Sequence, residues 1–317
     1  MDNLNNIIKS SGNILIISHV NPDGDTLGSM CGLYSLIEKN FKKKCDLMAV
    51  SKIPAVYEFL PFIDRVKSLE DFDKSREYDV VITVDVAAIE RICSGKILFD
   101  KAFKTINFDH HATNCSYADI NIINPAASST SEVILDTAQA LGWELDYNAA
   151  LNLYNGILTD TGSFRFENTK PSTLIHAAKL VELGVSPSDV YKKVYESDTK
   201  TIVLFQAHCI SRAKFSDNDK IAYTVVYQKD MEKFNAGEEA MEGLTEKLRA
   251  IVTTQTAFVV KEMKSGISKV SMRSKQADVS KICAVFGGGG HKFAAGCMIK
   301  AAPDEAVKKV LEEIRSE

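Results

Sequence analysis

The sequence predicts an α/β protein: an N-terminal, mostly parallel sheet covered by helices, then a helical linker and a smaller C-terminal α+β domain. Three observations carry this expectation. Short β-rich apolar runs recur through the first part of the chain, and stretches long enough for crossover helices separate them. Beyond the segment 188–215 the pattern changes to strands with short connections.

The first run, Asn13-Ile14-Leu15-Ile16-Ile17-Ser18, is apolar without alternation, as a strand covered on both faces should be. Leu27, Cys31, Tyr34 and Ile37 recur at helical spacing and predict a helix from Thr26 onward. Further strands are expected over 45–50, 79–84 and 105–108. Helices are expected over 131–141, 148–158, 172–183 and 188–195, with Gly184 and Pro187 splitting the last two. A polar, helix-prone stretch over 198–214 leads to strands over 221–227, 256–263 and 268–274, the last pair joined by a Lys264-Ser265-Gly266 turn. The expected boundaries are 1–187 for the first domain, 188–215 for the linker and 216–317 for the second domain.

Composition narrows the function. The 317 residues are 45% hydrophobic and 25% charged, which suffices for packed cores and argues against a disordered or fibrous class. No apolar run nears the ~20 residues of a membrane helix. The opening Met1-Asp2-Asn3-Leu4 lacks secretory character, so a cytoplasmic protein with no membrane partner is expected. Seven scattered cysteines without a Cys-x-x-Cys pair indicate neither a disulfide framework nor a structural zinc knot. A net charge of -4 speaks against gripping long duplex nucleic acid, which takes many phosphate contacts, and leaves room for a short anionic substrate.

The chemistry-bearing residues stand where strands end. After the first strand comes His19-Val20-Asn21-Pro22-Asp23-Gly24-Asp25, a turn presenting an imidazole and two carboxylates; it also has the form of an Asx cap for the following helix. The run 80–84 ends in Asp85, and the next strand ends in Asp109-His110-His111. A predicted helix carries Gly156-Ile157-Leu158-Thr159-Asp160-Thr161-Gly162, with Asp160 among small residues and Gly162 in the position of a helix stop. His19, His110, His111 and His291 are four of the chain's six histidines, all within these motifs or the glycine run below. Together His19, Asp23, Asp25, Asp85, His110 and Asp160 offer enough oxygen and nitrogen donors for two divalent ions if one carboxylate bridges. Mixed imidazole and carboxylate donors favour manganese over magnesium, with cobalt as a further candidate.

In the second domain, Phe286-Gly287-Gly288-Gly289-Gly290-His291 can bring backbone N–H groups against an anion, and Arg273 offers a planar fork for phosphate. The same glycines are also compatible with a plain flexible turn.

With these residues in view, the chain resembles the DHH phosphoesterases, whose Asp-His-His stands here as Asp109-His110-His111. His19 to Asp25, Asp85, Asn124 to Glu132 and Thr159 to Phe164 extend the resemblance. Ser271 to Ser274 and Phe286 to Gly296 resemble the DHH-associated domain. The resemblance implies one ion on His19, Asp23 and Asp85, a second on Asp25, Asp85, His110 and Asp160, with Asp85 bridging. Asp109 is then a supporting carboxylate and His111 faces the substrate. Arg273, Gly288, Gly289, Gly290 and His291 hold the far end of the substrate across an interdomain cleft.

Size and arrangement resemble the bacterial nanoRNase group. That implies hydrolysis of short single-stranded RNA to mononucleotides, of 3'-phosphoadenosine 5'-phosphate to AMP, or of linear dinucleotides such as pApA, by an enzyme that can pair as a homodimer. Two other readings are a manganese-dependent inorganic pyrophosphatase and a non-catalytic nucleotide-binding regulatory module.

Overall fold

The uninterrupted apolar runs of the first half become neighbouring strands of one sheet. A computed structural model of the protein describes residues 2–316, apart from the side chains of Asp2, Asn3, Ser265 and His291. The chain divides between Ser197 and Asp198 into two units, each with a six-stranded sheet.

Unit 1 begins with α1 (Asp2–Ser10), β1 (Ile14–Ile17), α2 (Gly24–Phe41), β2 (Asp46–Met48) and β3 (Val66–Lys67). It continues through β4 (Val80–Val84), α3 (Lys96–Phe99), β5 (Lys104–Asp109) and β6 (Ile120–Ile123). Four helices close it: α4 (Thr130–Ala140), α5 (Tyr147–Asp160), α6 (Pro171–Glu182) and α7 (Pro187–Tyr195). The sheet is parallel throughout, in the order β3-β2-β1-β4-β5-β6. Strand order reverses between β1 and β4, the switch point at which an open α/β sheet leaves a crevice beyond its carboxyl ends. The predicted α/β class is the observed one.

Both faces of the central strands are covered, which explains why their sequences do not alternate. Ile14, Ile16, Val80 and Ile82 pack on one side with residues of α2, α4 and α5. Leu15, Ile17 and Val81 pack on the other with Leu98 and Phe99 of α3. The edge strand β6 is only half-buried and β3 is two residues long, so neither carries a strong apolar run, and neither was expected from sequence.

Small residues bring α2 and α5 together. A Cβ on Gly28 would lie 2.4 Å from the Asn152 carbonyl oxygen, and one on Gly24 would lie 2.5 Å from the Thr159 side chain. The helices therefore run antiparallel at close range, and the end of α5, at Asp160, meets the start of α2, at Asp25.

Unit 2 comprises α8 (Lys200–Ser211), β7 (Lys214–Ser216), β8 (Ile221–Val226), α9 (Gln228–Phe234), α10 (Leu244–Arg249) and β9 (Thr256–Glu262). It ends with β10 (Ser268–Ser274), α11 (Val279–Val285), β11 (Gly289–His291), β12 (Ala294–Ile299) and α12 (Pro303–Ser316). Its order is β11-β12-β10-β9-β8-β7; β8 and β9 are parallel and the other neighbours antiparallel. The segment 188–215 contributes to both units: Val190 of α7 is buried in the core of unit 1, and Phe205 and Cys209 of α8 in that of unit 2. Among the described residues, no helix is long and apolar enough to cross a membrane.

Candidate metal centre

Six side chains gather at the carboxyl edge of the unit 1 sheet. His19 leaves β1, and Asp23 caps α2, its Oδ1 accepting the N–H groups of Asp25 at 3.1 Å and Thr26 at 3.0 Å. The cap brings Asp25, in the first turn, inward, where it is buried. Asp85 directly follows β4 with φ at 62°, a left-handed conformation that costs a non-glycine residue roughly 1–2 kcal/mol. Its N–H donates to the Phe108 carbonyl of β5 at 2.9 Å, which ties this turn to the neighbouring strand.

Asp85, His110 and His111 form one set of donors, and there are two further sets. Atoms of His19, Asp23 and Asp85 lie within 4.8 Å of one another, as do atoms of Asp25, His110 and Asp160. Asp85 also lies close to His110, with Oδ1 3.7 Å from Nε2, so the carboxylate stands between the two sets. His111 is near as well, but its Nδ1 is 2.7 Å from Asp109 Oδ1, which engages that nitrogen. Asp109 is buried, and it also accepts the His110 N–H at 2.9 Å and an N–H of the Asn114 amide.

The carboxylates are anchored by neighbouring elements. Asp25 accepts the N–H groups of Thr130 at 2.7 Å and Ser131 at 3.0 Å, so the positive N-terminus of α4 faces a negative charge. Asp85 accepts from the hydroxyls of Thr26 at 2.7 Å and Thr130 at 3.1 Å. The Thr26 hydroxyl also sits 2.6 Å from His19 Nε2.

The cluster is short of positive charge. Burial, and then the Asp85 charge, push Asp25 up to about 7. Burial and the charges of Asp25, Asp85 and Asp23 raise Asp160 well above the usual carboxylate range. Asp85 is lowered: burial opposes ionisation, but His19, His110 and His111 outweigh it. Correspondingly, His19 and His111 are raised; burial works against their charged forms, and the adjoining aspartates prevail. Among the described residues, Asp160 Oδ2 is buried without a hydrogen-bond partner, although it faces His110 Nε2 at 3.5 Å. An orphaned carboxylate oxygen beside crowded aspartates and imidazoles fits divalent cations, which satisfy the lone pairs and neutralise the charge.

Sequence reading missed several members of this site. Thr26, Thr130 and Ser131 hold Asp25 and Asp85, Asn114 holds Asp109, and Arg91 places Nη2 3.1 Å from His19 Nδ1. Thr26 is adjacent to Asp25 in the chain and could have been suspected. Asn114 follows Asp109 by five residues, and Thr130 and Ser131 stand in the Asn124 to Glu132 segment quoted for the resemblance, where no role was given to them; Arg91 alone has no local signal, because its proximity to His19 depends on which segments the sheet places side by side.

In unit 2, Arg273 lies on β10 and is half-exposed. Its Nε donates to Glu246 Oε1 at 2.6 Å and its Nη1 to the Met272 carbonyl at 2.9 Å, so part of the expected fork is already occupied. Ala294 of β12 pairs with Arg273 on one side and with His291 of β11 on the other, which puts both in one cross-strand row. The imidazole of His291 lies outside the described residues. Gly288 meets backbone: a Cβ there would be 2.2 Å from the Gly296 carbonyl oxygen. Gly290 has φ at 145°, and nothing stands within 4 Å of a Cβ placed on Gly289.

Comparison with known proteins agrees with this architecture. Residues 13–157 match the model of the DHH family, N-terminal domain, and residues 218–317 match that of the DHHA1 domain. The bifunctional oligoribonuclease and PAP phosphatase NrnA of Bacillus subtilis is 30% identical over 291 residues, spanning 90% of this chain and 89% of the relative. The probable counterpart from Streptococcus mutans is 31% identical over 91% of this chain and 90% of its own length. Among solved structures, an exopolyphosphatase-related protein from Bacteroides fragilis superposes with a TM-score of 0.95 at 25% identity, covering 99% of this chain and 95% of that one.

Proposed function

Because the chain belongs to the DHH family, we propose that it is a metal-dependent phosphoesterase that hydrolyses short oligoribonucleotides to mononucleotides and 3'-phosphoadenosine 5'-phosphate (PAP) to AMP. The observation that carries this reading is the pair of donor sets at the switch point of the sheet, with Asp85 between them and a buried Asp160 oxygen left unsatisfied.

We assign His19, Asp23 and Asp85 to one cation and Asp25, Asp85, His110 and Asp160 to the other. Manganese suits this mixture of imidazole and carboxylate better than magnesium, which prefers oxygen alone. When bound, two such cations supply charge neutralisation at the phosphoryl oxygens and an acidified water as nucleophile. The chain's own side chains do the rest. Asp109, held by Asn114 and the His110 N–H, keeps the His111 proton on Nδ1 and presents Nε2 to the substrate. An imidazole whose basicity is raised in this way holds a second proton that it can donate to the leaving oxygen or to a phosphoryl oxygen. Arg273, Gly288, Gly289, Gly290 and His291 of unit 2 are assigned to substrate binding through charge-assisted and backbone donors. A protein acting on short RNA and nucleotides in this way belongs in the cytoplasm.

The experiment is a parallel assay of the manganese-loaded protein with RNA a few residues long, PAP, pApA and pyrophosphate. Release of mononucleotides from RNA, together with AMP from PAP, is the expected result. Phosphate from pyrophosphate alone, or tight nucleotide binding with no turnover, would overturn the reading.

A further inference from the structure

Beside His19 stands a guanidinium that the proposed chemistry has not used. The backbone of Arg91 is anchored to the metal-binding loop: its carbonyl accepts the Val20 N–H at 2.9 Å, and its own N–H donates to the Ala88 carbonyl at 3.0 Å. Its side chain is held much more lightly. Among the described residues, its one polar contact is Nη2 with His19 Nδ1 at 3.1 Å, and no carboxylate stands within ion-pair distance. An arginine beside an aspartate-rich centre that pairs with none of those aspartates is available to another anion.

The contact with His19 also leaves the guanidinium unsatisfied. His19 Nδ1 lies 2.8 Å from the Val20 carbonyl, which can only accept, so this nitrogen carries its proton there. A guanidinium N–H cannot donate to that same protonated nitrogen. The guanidinium is therefore left beside His19 without an acceptor for its planar fork.

We propose that Arg91 is a phosphoryl-binding residue of unit 1: its guanidinium, which has no acceptor at His19, pairs with non-bridging oxygens of the substrate phosphate. The inference rests on the phosphoesterase reading and adds a contact on the catalytic unit itself. It assigns Arg91 to the reacting phosphate and distinguishes it from a residue that merely positions His19.

The test combines three measurements on wild type, Arg91→Ala and Arg91→Lys. These are calorimetric titration of the metal-free proteins with manganese, titration of the manganese-loaded proteins with inorganic phosphate, and steady-state hydrolysis of PAP. Arg91→Ala should leave manganese affinity unchanged and weaken phosphate binding about ten- to hundredfold, the range of a charge-assisted hydrogen bond. KM for PAP should rise with it, and Arg91→Lys should recover part of the loss. Unchanged phosphate affinity in Arg91→Ala would overturn the proposal, as would a parallel loss of manganese affinity, which would make Arg91 a positioning residue for His19. If phosphate binding depends on Arg91 while wild type hydrolyses neither PAP nor short RNA, the contact stands and the phosphoesterase reading fails.

Discussion

Gly156 of α5 passes Asp25 so closely that a Cβ on the glycine would lie 2.7 Å from the carboxylate Oδ1 and 1.9 Å from the Ser131 hydroxyl. The absent side chain lets α5 deliver Asp160 to the cluster while α4 grips Asp25 from the other side.

Gly156→Ala should therefore displace Asp25 despite the better helix propensity of alanine. Overpacking costs of ~1–3 kcal/mol exceed the ~1 kcal/mol gained in propensity. Urea unfolding should show net destabilisation, and manganese titration a weakened affinity.

The crowding of Asp160 with Asp25 and Asp85 makes opposite predictions for the empty and loaded protein. Asp160→Asn removes a charge that burial and its neighbours disfavour, so the metal-free variant should melt above metal-free wild type. Wild type should gain about 2.7 kcal/mol at free manganese ~100-fold above Kd, and the variant much less. Asp85→Ala, which removes the carboxylate between both donor sets, should lower turnover by at least ~10²–10³-fold with the fold retained by circular dichroism. Full turnover in that variant would refute the shared-carboxylate assignment.

Burial works against the charged form of His111, and Asp109, across a 2.7 Å contact, outweighs it together with the Asp85 charge. A raised pKa keeps the protonated form populated to higher pH. Asp109→Asn should thus lower kcat and move the alkaline limb of its pH profile downward. A limb that stays in place would remove His111 from the proton transfer.

Glu132, at the start of α4, connects the loop that holds Asp25 to α6. It accepts the Ser128 N–H at 2.9 Å and the Thr173 hydroxyl at 3.0 Å, and it faces His176 Nδ1 at 3.2 Å. Burial alone would raise it; the hydrogen bonds of His176, Ser128 and Thr173 bring it from 4.5 down to about 2. A carboxylate depressed by folding stabilises the protein above its unfolded pKa, and that contribution is lost as pH falls through the folded value. The difference corresponds to about 3 kcal/mol, lost between pH 4.5 and about 2. Urea midpoints at pH 7 and pH 3 should diverge less in Glu132→Gln than in wild type, and an equal divergence would count against this linkage.

Arg273→Ala should act on binding more than on chemistry. A ten- to hundredfold rise in KM for PAP, about the worth of a charged hydrogen bond, with a smaller change in kcat is expected from steady-state kinetics. A loss confined to kcat would move Arg273 from substrate binding to the reaction itself.

Residues whose meaning is local were legible without coordinates. Ile14 to Ile17 and Val80 to Val84 read as buried strands because both their faces are covered, and the polar residues that end them, His19 and Asp85, marked the edge of the sheet. The strand β6 was not legible, because an edge position leaves Ile120-Asn121-Ile122-Ile123 half-buried and its apolar run short. Strand β12 begins Ala294-Ala295-Gly296, small residues of low strand propensity that pair only because β10 and β11 lie on either side.

The sequence by itself determined the fold class and which side chains stand at strand and helix ends, since apolar runs, caps and turn residues act over a few neighbouring positions. Tertiary structure alone decided that β1 and β4 adjoin, that Gly28 and Gly156 let α2 and α5 close on each other, and that Thr130 and Arg91 meet residues distant in the chain. Those contacts follow from strand order and helix packing, which are set by burying apolar surface across the whole unit and leave no mark on any single segment.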